Sequence, residues 1–369
     1  MNIKTLTTYN VYNYGASLQA YALQEYLIQK GCNVEIINYQ PQYLTRKYNY
    51  KWVNPESKMS KFFISRMMYR ILKFLQRQTT LKRKRQFDIF TQKELKETPI
   101  KYLSYYELKK NPPIADLYIV GSDQIWNTFY ETGKDPTFYL DFVQHGKKVS
   151  YAASFSYIDI DSQTLSIIQS YLSEFQAISV REYQGLNILE KIGLKGSWVL
   201  DPVFLLSQND WKNLMTNFVK KENYLLIYDF EGNRLLKKFA IEYAKQNKLK
   251  IYSINDTYPR LFADKNFNDA GPKEFLSLIY NCSAFISNSF HGTAFSIIFN
   301  KPVFVFNRHR HKVNSRMESL MSLFELKDCI INDESMFKQA LQKTFNYEKI
   351  NSIIHTEKIK SMNFIDNIL

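Results

Sequence analysis

The chain has 369 residues, 45% of them hydrophobic and 16% aromatic, and its formal net charge at pH 7 is +14. This length favours two domains over one, and 11 glycines and 10 prolines are too few for a fibrous or disordered chain. No apolar run approaches the ~20 residues that span a bilayer, and the first residues are typical of a strand and not of a secretion signal.

The cysteines Cys32, Cys282 and Cys329 lie far apart in the sequence. Their spacing fits neither a disulfide framework nor a metal-ligand cluster, and scattered thiols are typical of a reducing compartment. We therefore expect a cytoplasmic protein without a bound metal. The sequence also lacks a Walker loop, a His-Glu-x-x-His motif and a Gly-x-Ser-x-Gly elbow, so we expect no cofactor.

Short apolar runs alternate with stretches of helical periodicity in both halves of the chain. In the first half the pattern predicts a helix at 17–30 and strands at 4–8, 34–39, 116–120, 148–153, 177–180 and 198–200. In the second half it predicts helices at 234–246 and 274–280 and strands at 224–228, 250–254, 283–287 and 303–306. Such alternation is typical of α/β folds with parallel sheets and right-handed crossovers.

The two series predict two domains joined near residues 205–222. We assign residues 1–205 to an N-terminal Rossmann-like domain and residues 206–340 to a second Rossmann-like domain. Residues 341–369 are predicted to form a C-terminal helical segment. The sequence leaves open which of the two domains this segment packs on.

A basic segment at residues 58–85 carries ten of the excess positive charges and no acidic residue. Apolar side chains recur there at helical spacing, and the arginines fall mostly on the other side. A basic amphipathic helix of this kind favours peripheral attachment to an anionic membrane surface, at the inner face. A packed helix with a solvated basic face would have the same pattern. Nucleic-acid binding is not indicated, because the rest of the chain is nearly balanced in charge and carries no nucleic-acid-binding motif.

The segment Asn288–Thr293 lies between the strand-like runs at 283–287 and 303–306. Open parallel sheets bind ligands at the carboxyl ends of their strands, where loop amides and helix N-termini point at anions. We therefore predict that His291, at the turn after the first run, binds a phosphate or moves a proton. Ser289 and Thr293 either add hydroxyl donors or cap the following helix.

Two other predicted strand ends carry polar side chains. Arg181 either clamps a carboxylate or phosphate bidentately or forms a salt bridge to Glu182 or a neighbouring acid. The loop at 121–127 combines short polar side chains with Trp126, which favours a ligand-binding loop. Asp123 in this loop is a candidate proton acceptor, with a helix N-cap as the alternative.

Two further segments are candidates for anion binding. The turn Tyr12–Ala16 presents backbone amides but lacks a full Gly-x-Gly-x-x-Gly fingerprint, so it supports a dinucleotide site only weakly. A basic group follows the strand at 303–306 and forms either an anion funnel or a solvated loop. This group is Arg308, His309, Arg310, His311 and Arg316.

Several separated motifs share an order and spacing that are quite specific, although each is weak alone. They are Asn13–Ala16 with Leu18–Leu23, Val120–Asn127, Tyr151–Phe155, Ser179–Glu182, Asp201–Val203, Ser289–Gly292 and Asn300–Pro302. Together they resemble the polysaccharide pyruvyl transferase family over most of the chain. Many members of that family carry an arginine two residues before the histidine, where this chain has Ser289.

The resemblance implies a GT-B-like fold, with two Rossmann-like domains facing a cleft. It also implies a pyruvyltransferase that moves a pyruvyl group from phosphoenolpyruvate to two hydroxyls of a sugar, as a ketal. The sugar would belong to a cell-surface polysaccharide or its lipid-linked precursor. His291 and Arg181 would contact phosphoenolpyruvate, and Asp123 is the candidate base.

The remaining site residues are predicted in two sets. The donor-binding set, on the second domain, is Ser289, Phe290, Gly292, Thr293, Arg308, Arg310 and Arg316, in which the arginines would replace the cation that Ser289 lacks. The acceptor-binding set, on the first domain, is Asn13, Tyr14, Gly15, Ser122, Gln124, Trp126 and Asn127.

Two other functions fit parts of the same pattern. A GT-B glycosyltransferase would share the fold and would use a nucleotide-sugar donor. A non-catalytic interaction protein would attach to membranes through residues 58–85. Binding of nucleotide sugars but not of phosphoenolpyruvate would favour the first, and binding of anionic vesicles but of neither donor would favour the second. The ketal-forming transferase is preferred because its motif set is dense, and not because the fold requires it.

Overall fold

The computed structural model describes residues 1–45, 62–75, 77–156, 160–216, 222–255, 259–308 and 314–369. Its strands are β1 Asn2–Leu6, β2 Asn33–Tyr39, β3 Glu97–Tyr102, β4 Leu117–Val120, β5 Lys147–Ser150, β6 Ser179–Val180, β7 Ser197–Trp198, β8 Tyr224–Tyr228, β9 Lys250–Ile254, β10 Lys265–Phe267, β11 Ala284–Ser287, β12 Val303–Phe306 and β13 Ile330–Ile331. Its α-helices are α1 Tyr14–Gln29, α2 Gln42–Thr45, α3 Phe63–Leu75, α4 Arg77–Glu94, α5 Tyr105–Lys110, α6 Ser162–Leu172, α7 Tyr183–Lys191, α8 Gln208–Leu214, α9 Arg234–Gln246, α10 Pro272–Asn281, α11 Phe290–Ile298, α12 Ser315–Leu323, α13 Phe337–Leu341 and α14 Tyr347–Ile368.

Each half of the chain carries its own parallel sheet. The five-stranded first sheet has the order β3-β2-β1-β4-β5. Bridges from Val149 to Ala177 and from Ala153 to Val180 continue it toward β6, which pairs with β7. The six-stranded second sheet has the order β10-β9-β8-β11-β12-β13. Counted from the first strand of each half, both follow the Rossmann progression, in which the strand order reverses beside the first strand.

The amino-acid sequence accounts for these elements. The strands Tyr224–Tyr228 and Val303–Phe306 are apolar and buried along their whole length, as expected for a parallel sheet with helices on both faces. Asn13 starts α1, because its side chain accepts hydrogen bonds from the amides of Gly15 and Ala16. The predicted α/β fold with two Rossmann-like sheets is confirmed.

The two halves pack directly against each other. The ring of Tyr14, at the start of α1, stacks on Phe275 of α10 with 4.4 Å between the ring centroids, and its hydroxyl donates to the Ala270 carbonyl at 2.9 Å. The C-terminal helix α14 returns to the first half, where Ser361 Oγ accepts from the Leu200 amide at 2.9 Å. The predicted boundary at residue 205 falls between the two sheets, and its position as a domain limit stays a prediction.

The structure corrects the prediction from sequence at two helices. Helix α1 begins at Tyr14 and not at residue 17, because Asn13 supplies its cap. His291 was predicted at a turn but lies in the first turn of α11, since Ser289 occupies the cap position and accepts from the Gly292 amide.

The basic segment at 58–85 contributes α3 and the first half of α4. Its residues 58–61 and 76 lie outside the described residues. In the part of the chain that the structure describes, no helix is both long enough and apolar enough to cross a membrane.

Candidate functional site

Polar side chains converge where the carboxyl ends of the strands in the first half face the second half of the chain. Asp123 follows β4, Arg181 follows β6 and Asp201 comes shortly after β7. His291 comes from the first turn of α11 and Arg316 from the first turn of α12. We call these residues the junction cluster. Both halves therefore contribute to one site, at the edge of the sheet where open parallel sheets bind ligands.

Asp201 lies at the centre of the junction cluster, and its side chain is fully buried. Its Oδ2 accepts hydrogen bonds from Arg181 Nη1 at 2.7 Å and from Ser122 Oγ at 3.1 Å, and lies 3.3 Å from His291 Nε2. Its Oδ1 accepts from the Val203 amide at 3.2 Å. One carboxylate thus holds a guanidinium and positions an imidazole.

The charges within the junction cluster compensate one another. Burial by itself would raise the pKa of Asp201, but His291 and Arg181 more than offset this effect and lower the pKa below its ordinary value. Burial opposes the charge on Arg181, yet Asp201, Asp123 and Glu182 raise the pKa of its guanidinium. Asp201 and Arg181 are therefore ionised together, and removal of either one would leave the other buried charge without its nearest partner.

Position 15 must be glycine because His291 packs directly on it. A Cβ at Gly15 would lie 2.0 Å from His291 Nδ1 and 2.7 Å from the histidine Cβ. This contact joins the start of α1 to the start of α11, so it brings together sequence motifs from opposite halves of the chain. His291 Nε2 is buried and faces Asp201 Oδ2 at 3.3 Å, although this contact does not have the geometry of a hydrogen bond.

Asp123 and Arg316 form the accessible edge of the junction cluster. Asp123 Oδ1 lies 3.5 Å from Arg181 Nη2 and 3.9 Å from Arg316 Nη1. The side chains of Asp123 and Arg316 are 18% and 12% exposed, whereas that of Arg181 is 0% exposed. Both guanidinium groups approach the ring of Phe290, at 4.3 Å for Arg181 and 5.7 Å for Arg316.

Arg316 keeps its charge although it is close to another arginine. Burial and the like charge of Arg181 lower the pKa of Arg316 to about 10, so the group stays positive at neutral pH. The side-chain amide of Gln124 lies 2.9 Å from Ser156 Oγ, and with its oxygen turned toward Arg316 it accepts from both terminal nitrogens at 2.8 and 3.1 Å. Ser315 Oγ donates to the Ser156 carbonyl at 3.3 Å, which also ties α12 to the first half.

Glu182 supports this edge from below. Its Oε1 accepts hydrogen bonds from Ser154 Oγ at 3.0 Å and from the Ser156 amide at 2.9 Å. Arg181 forms the salt bridge that the sequence offered as its alternative role. Its partners are Asp201 at 2.7 Å and Asp123 at 3.5 Å. Glu182 holds the loop after β5 in place.

Part of the predicted acceptor-binding set is too deeply buried to touch an acceptor, which corrects the prediction. Each of the following side chains is at most 1% exposed: Tyr14, Ser122, Trp126 and Asn127. Tyr14 packs between the halves, Ser122 donates to Asp201, and the Trp126 indole donates to the Phe138 carbonyl in the core. Asn13 caps α1, whereas Gln124 does border the accessible edge. Polar groups at a strand end can satisfy the loop itself, and here most of them do.

The helical part of the predicted donor-binding set serves the packing of α11. Ser289 is its N-cap. A Cβ at Gly292 would lie 2.7 Å from the ring of Phe285, so the glycine allows close packing on β11. Thr293 is fully buried. These side chains are therefore not placed to contact a donor, and Phe290 instead lies beneath the two guanidinium groups.

The predicted donor-binding arginines are placed differently from one another. Arg308 Nε pairs with Glu231 Oε1 at 3.1 Å, in the second half. Arg310 lies outside the described residues, as do His309 and His311. Arg316 reaches the junction cluster, so it is the described member of the group that lies close to Asp123 and Phe290.

The sequence alone assigned no role to Asp201, although the motif Asp201–Val203 contains this residue. A signal was present, because Asp201 follows the strand-like run at 198–200, the same position that drew attention to Arg181. Across the described ranges no group of three or more His, Cys, Asp or Glu side chains is arranged to hold a metal ion.

A cavity of about 660 Å³ lies at the strand ends of the first half. Its lining includes Asn10, Tyr12, Gln40, Gln42, Asp88 and Lys101. The loop between β1 and α1, which carries Tyr12, passes Asp123, with 3.5 Å between Thr8 Oγ1 and Asp123 Oδ2. It then reaches Gly15, against His291. One loop thus borders both the cavity and the junction cluster.

Solved structures with a similar fold align over nearly the whole chain. A candidate UDP-N-acetylglucosamine 2-epimerase from Listeria monocytogenes covers 96% of this chain and 90% of its own, with a TM-score of 0.52 and 8% identity. The UDP-GlcNAc 2-epimerase from Methanocaldococcus jannaschii covers 94% and 93%, with a TM-score of 0.49 and 11% identity. A Streptomyces glycosyltransferase complexed with thymidine diphosphate covers 98% and 96%, with a TM-score of 0.45 and 11% identity. At these identities the likeness concerns the fold alone, which is GT-B-like.

The sequence itself identifies the family. No curated protein matches the sequence significantly. The family model of the polysaccharide pyruvyl transferases matches residues 13–310, which is most of the chain. This span includes Gly15, Asp123, Arg181, Asp201 and His291, the residues that meet between the two sheets. The chain therefore belongs to the polysaccharide pyruvyl transferase family and is an enzyme of that kind.

Proposed function

We propose that the protein transfers the pyruvyl group of phosphoenolpyruvate to two hydroxyls of a saccharide, which gives a cyclic pyruvate ketal and inorganic phosphate. The saccharide belongs to a cell-surface polysaccharide or its lipid-linked precursor. The observation that carries this proposal is the junction cluster, a buried, charge-compensated site between two lobes in which His291 Nε2 lies 3.3 Å from Asp201 Oδ2 and the Arg316 guanidinium borders the accessible edge. Family membership supports the same class of reaction.

Phosphoenolpyruvate carries a carboxylate and a phosphate, and the cations of the junction cluster suit both. The planar guanidinium of Arg316 can bind either anion with two parallel hydrogen bonds. His291 Nε2 can donate to the second anion or deliver a proton. Arg181 is fully buried and paired with Asp201 and Asp123, so it holds these two carboxylates in position. In this arrangement Arg316 supplies the cation that many family members carry at the position of Ser289.

The reaction balances without another co-reactant. A proton adds to the methylene carbon of phosphoenolpyruvate, C2 becomes electrophilic, and the first sugar hydroxyl forms a C–O bond to C2 and loses its proton. The second hydroxyl then displaces phosphate, which leaves with the electron pair of the broken C2–O bond. We assign proton delivery to His291 and acceptance of the hydroxyl protons to Asp123. Arg316 stabilises the charge on the departing phosphate.

We assign the acceptor to the cavity beside the loop between β1 and α1. Its volume is in the range of small-molecule sites, and the side-chain amides of Asn10, Gln40 and Gln42 in its wall can bind sugar hydroxyls. The buried members of the predicted acceptor-binding set then have a supporting role. The loop beside the cavity leads into α1, where Gly15 contacts His291, and would align the bound sugar with that residue.

The experiment measures phosphate release and product mass. With phosphoenolpyruvate and a suitable saccharide, the wild-type protein should release phosphate, and the saccharide should gain the mass of pyruvate less water. His291→Ala should reduce ketal formation by at least ~10²-fold, while the free energy of unfolding changes by no more than about 3 kcal/mol. His355→Ala, at an exposed position of α14, is the matched control and should keep full activity.

Titration calorimetry separates this reaction from a nucleotide-sugar transfer. Phosphoenolpyruvate should bind in the absence of a saccharide, and UDP, GDP and CMP sugars should not. Binding of a nucleotide sugar without binding of phosphoenolpyruvate would contradict the proposal. So would ketal formation by His291→Ala at a rate close to that of the wild type.

A further inference from the structure

Helix α3 turns its apolar side to solvent. Five large side chains on this helix have 49% to 76% of their surface exposed, namely Phe63, Ile64, Met67, Met68 and Ile71. They occupy positions i, i+1, i+4, i+5 and i+8, so they share one face of the helix, which we call the α3 face. A contiguous exposed patch of large apolar side chains marks an interaction site.

The opposite side of α3 is the less exposed one. Ser65 and Tyr69 are half-buried although they are less apolar than the exposed residues. A helix that used its apolar stripe for the core would have the reverse arrangement. The part of the chain that the structure describes therefore leaves the α3 face uncovered and directs it outward.

The charges around the α3 face indicate the chemistry of its partner. Arg66 and Arg70, at i+3 and i+7 from Phe63, are exposed along one edge of the face. Helix α4 follows directly and exposes Lys82 and Arg85. No acidic residue occurs at 57–87. An apolar stripe bordered by cations complements an anionic lipid surface, whereas a second copy of the same face would bring like charges together.

We propose that α3 lies in the headgroup region of an anionic lipid bilayer, with the α3 face among the acyl chains and Arg66 and Arg70 at the lipid phosphates. This docking does not depend on which donor or acceptor the junction cluster uses. Asp88 of α4, the helix that follows α3, lines the cavity assigned to the acceptor. Docking through α3 would therefore hold that cavity close to saccharides carried on membrane lipids.

The test is sedimentation of the full-length protein with two kinds of vesicle. We expect binding to vesicles of phosphatidylcholine with phosphatidylglycerol, weakened by salt, and no binding to phosphatidylcholine alone. Met67→Ser combined with Ile71→Ser should lower the affinity by about tenfold or more, because two apolar side chains no longer enter the hydrocarbon. Leu261→Ser, at a side chain 97% exposed on the second half, is the matched control and should bind like the wild type.

A second variant and a second measurement test the alternatives. Arg66→Gln combined with Arg70→Gln should lower both the affinity and its dependence on salt. Equal binding to the two kinds of vesicle, or binding unchanged by the Met67 and Ile71 substitutions, would overturn the proposal. A wild-type dimer that those substitutions convert to a monomer in light scattering would also overturn it, since a second copy would then cover the α3 face. Ketal formation on a soluble saccharide, unchanged in all these variants, reports on the proposed function separately.

Discussion

Two regions of this protein carry clustered cations, and they differ in how the cations are held. In the junction cluster, Arg181 is bound to Asp201 at 2.7 Å, and Asp123 lies within 4 Å of both Arg181 and Arg316. On α3, Arg66 and Arg70 are exposed beside an apolar face. The first arrangement is buried and fixed, so salt should affect it little. The second is on the surface and should be screened within a Debye length.

The difference fits the shape of the anion that we propose for each region. A small anion with defined geometry is recognised by donors that are already held in position. Such donors are buried, and buried charge must be compensated, which is the role of Asp201 and Asp123. A lipid surface has no defined geometry, so exposed cations and apolar area are sufficient. A single substitution in the junction cluster should therefore cause a large loss of activity. Substitutions on α3 should lower the affinity for membranes in smaller steps.

The largest effect should come from Gly15→Ala. The added methyl would lie 2.0 Å from His291 Nδ1 in the present structure, so the imidazole or the start of α1 must move. When a catalytic group shifts by about 1 Å relative to the reacting atoms, the rate can fall about 10²-fold. We expect ketal formation to fall by that factor. Steady-state assays with phosphoenolpyruvate and saccharide measure it.

A double-mutant cycle identifies the contact that causes this loss. Gly15→Ala in the wild type should lower the free energy of unfolding by about 1–3 kcal/mol, as expected for overpacking. In the His291→Ala background the ring is gone, so the same substitution should cost at least about 1 kcal/mol less. If the cost were equal in both backgrounds, the contact between Gly15 and His291 would not explain the effect.

A smaller effect should separate the two described arginines of the donor-binding set. Arg316→Gln removes a cation at the accessible edge of the junction cluster, and we expect the KM for phosphoenolpyruvate to rise by about tenfold or more, the scale of a hydrogen bond to a charged group. Arg308→Gln is the matched control, because Arg308 pairs with Glu231 at 3.1 Å. The KM of this variant for phosphoenolpyruvate should differ from that of the wild type by less than about threefold. The reverse order of effects would place the donor near Arg308.

The fold was predictable where strands are buried on both faces. Strands β8, β9 and β12 match their predicted limits, because β8 and β12 are short apolar runs and β9 is a short run rich in apolar residues. Strands β3 and β10 were not predicted, and both lie at a sheet edge. An edge strand needs no continuous apolar run, and β3 carries a proline and several exposed residues. Sequence periodicity therefore identifies the centre of a parallel sheet better than its edges.

The sequence predicted which residues belong to the candidate site better than it predicted what each of them does. The strand-end rule drew attention to His291, Arg181 and Asp123, which the structure brings together, and their chemical roles stay predictions. The same rule chose Trp126, which is buried in the core. A polar strand-end loop has the same composition whether it binds a ligand or satisfies its own backbone, so only the three-dimensional arrangement distinguishes the two. Arg316 lies beyond the matched residues 13–310, and its nearness to Asp123 could not be derived from sequence spacing.

The smallest effect concerns the pH dependence of stability. Burial alone would raise the pKa of Asp201, but His291 and Arg181 lower it below its ordinary value in the folded protein. A carboxyl group with a lowered folded-state pKa stabilises the fold above its unfolded pKa of about 3.9. This stabilisation is lost as the pH falls through the folded-state pKa. The free energy of unfolding of the wild type should therefore decline below about pH 4, and that of Asp201→Asn should decline less.

Urea unfolding of both proteins at several pH values measures this difference, and added salt tells which region it comes from. Exposed ion pairs such as Lys349 with Glu325 are screened at about 0.5 M salt, so their part of the pH dependence should shrink. The difference between the wild type and Asp201→Asn should persist, because Asp201 and Arg181 are buried together. Parallel curves for the two proteins would mean that the Asp201 carboxylate does not hold compensated charge. The fixed, salt-resistant character of the junction cluster, and its contrast with α3, would then be lost.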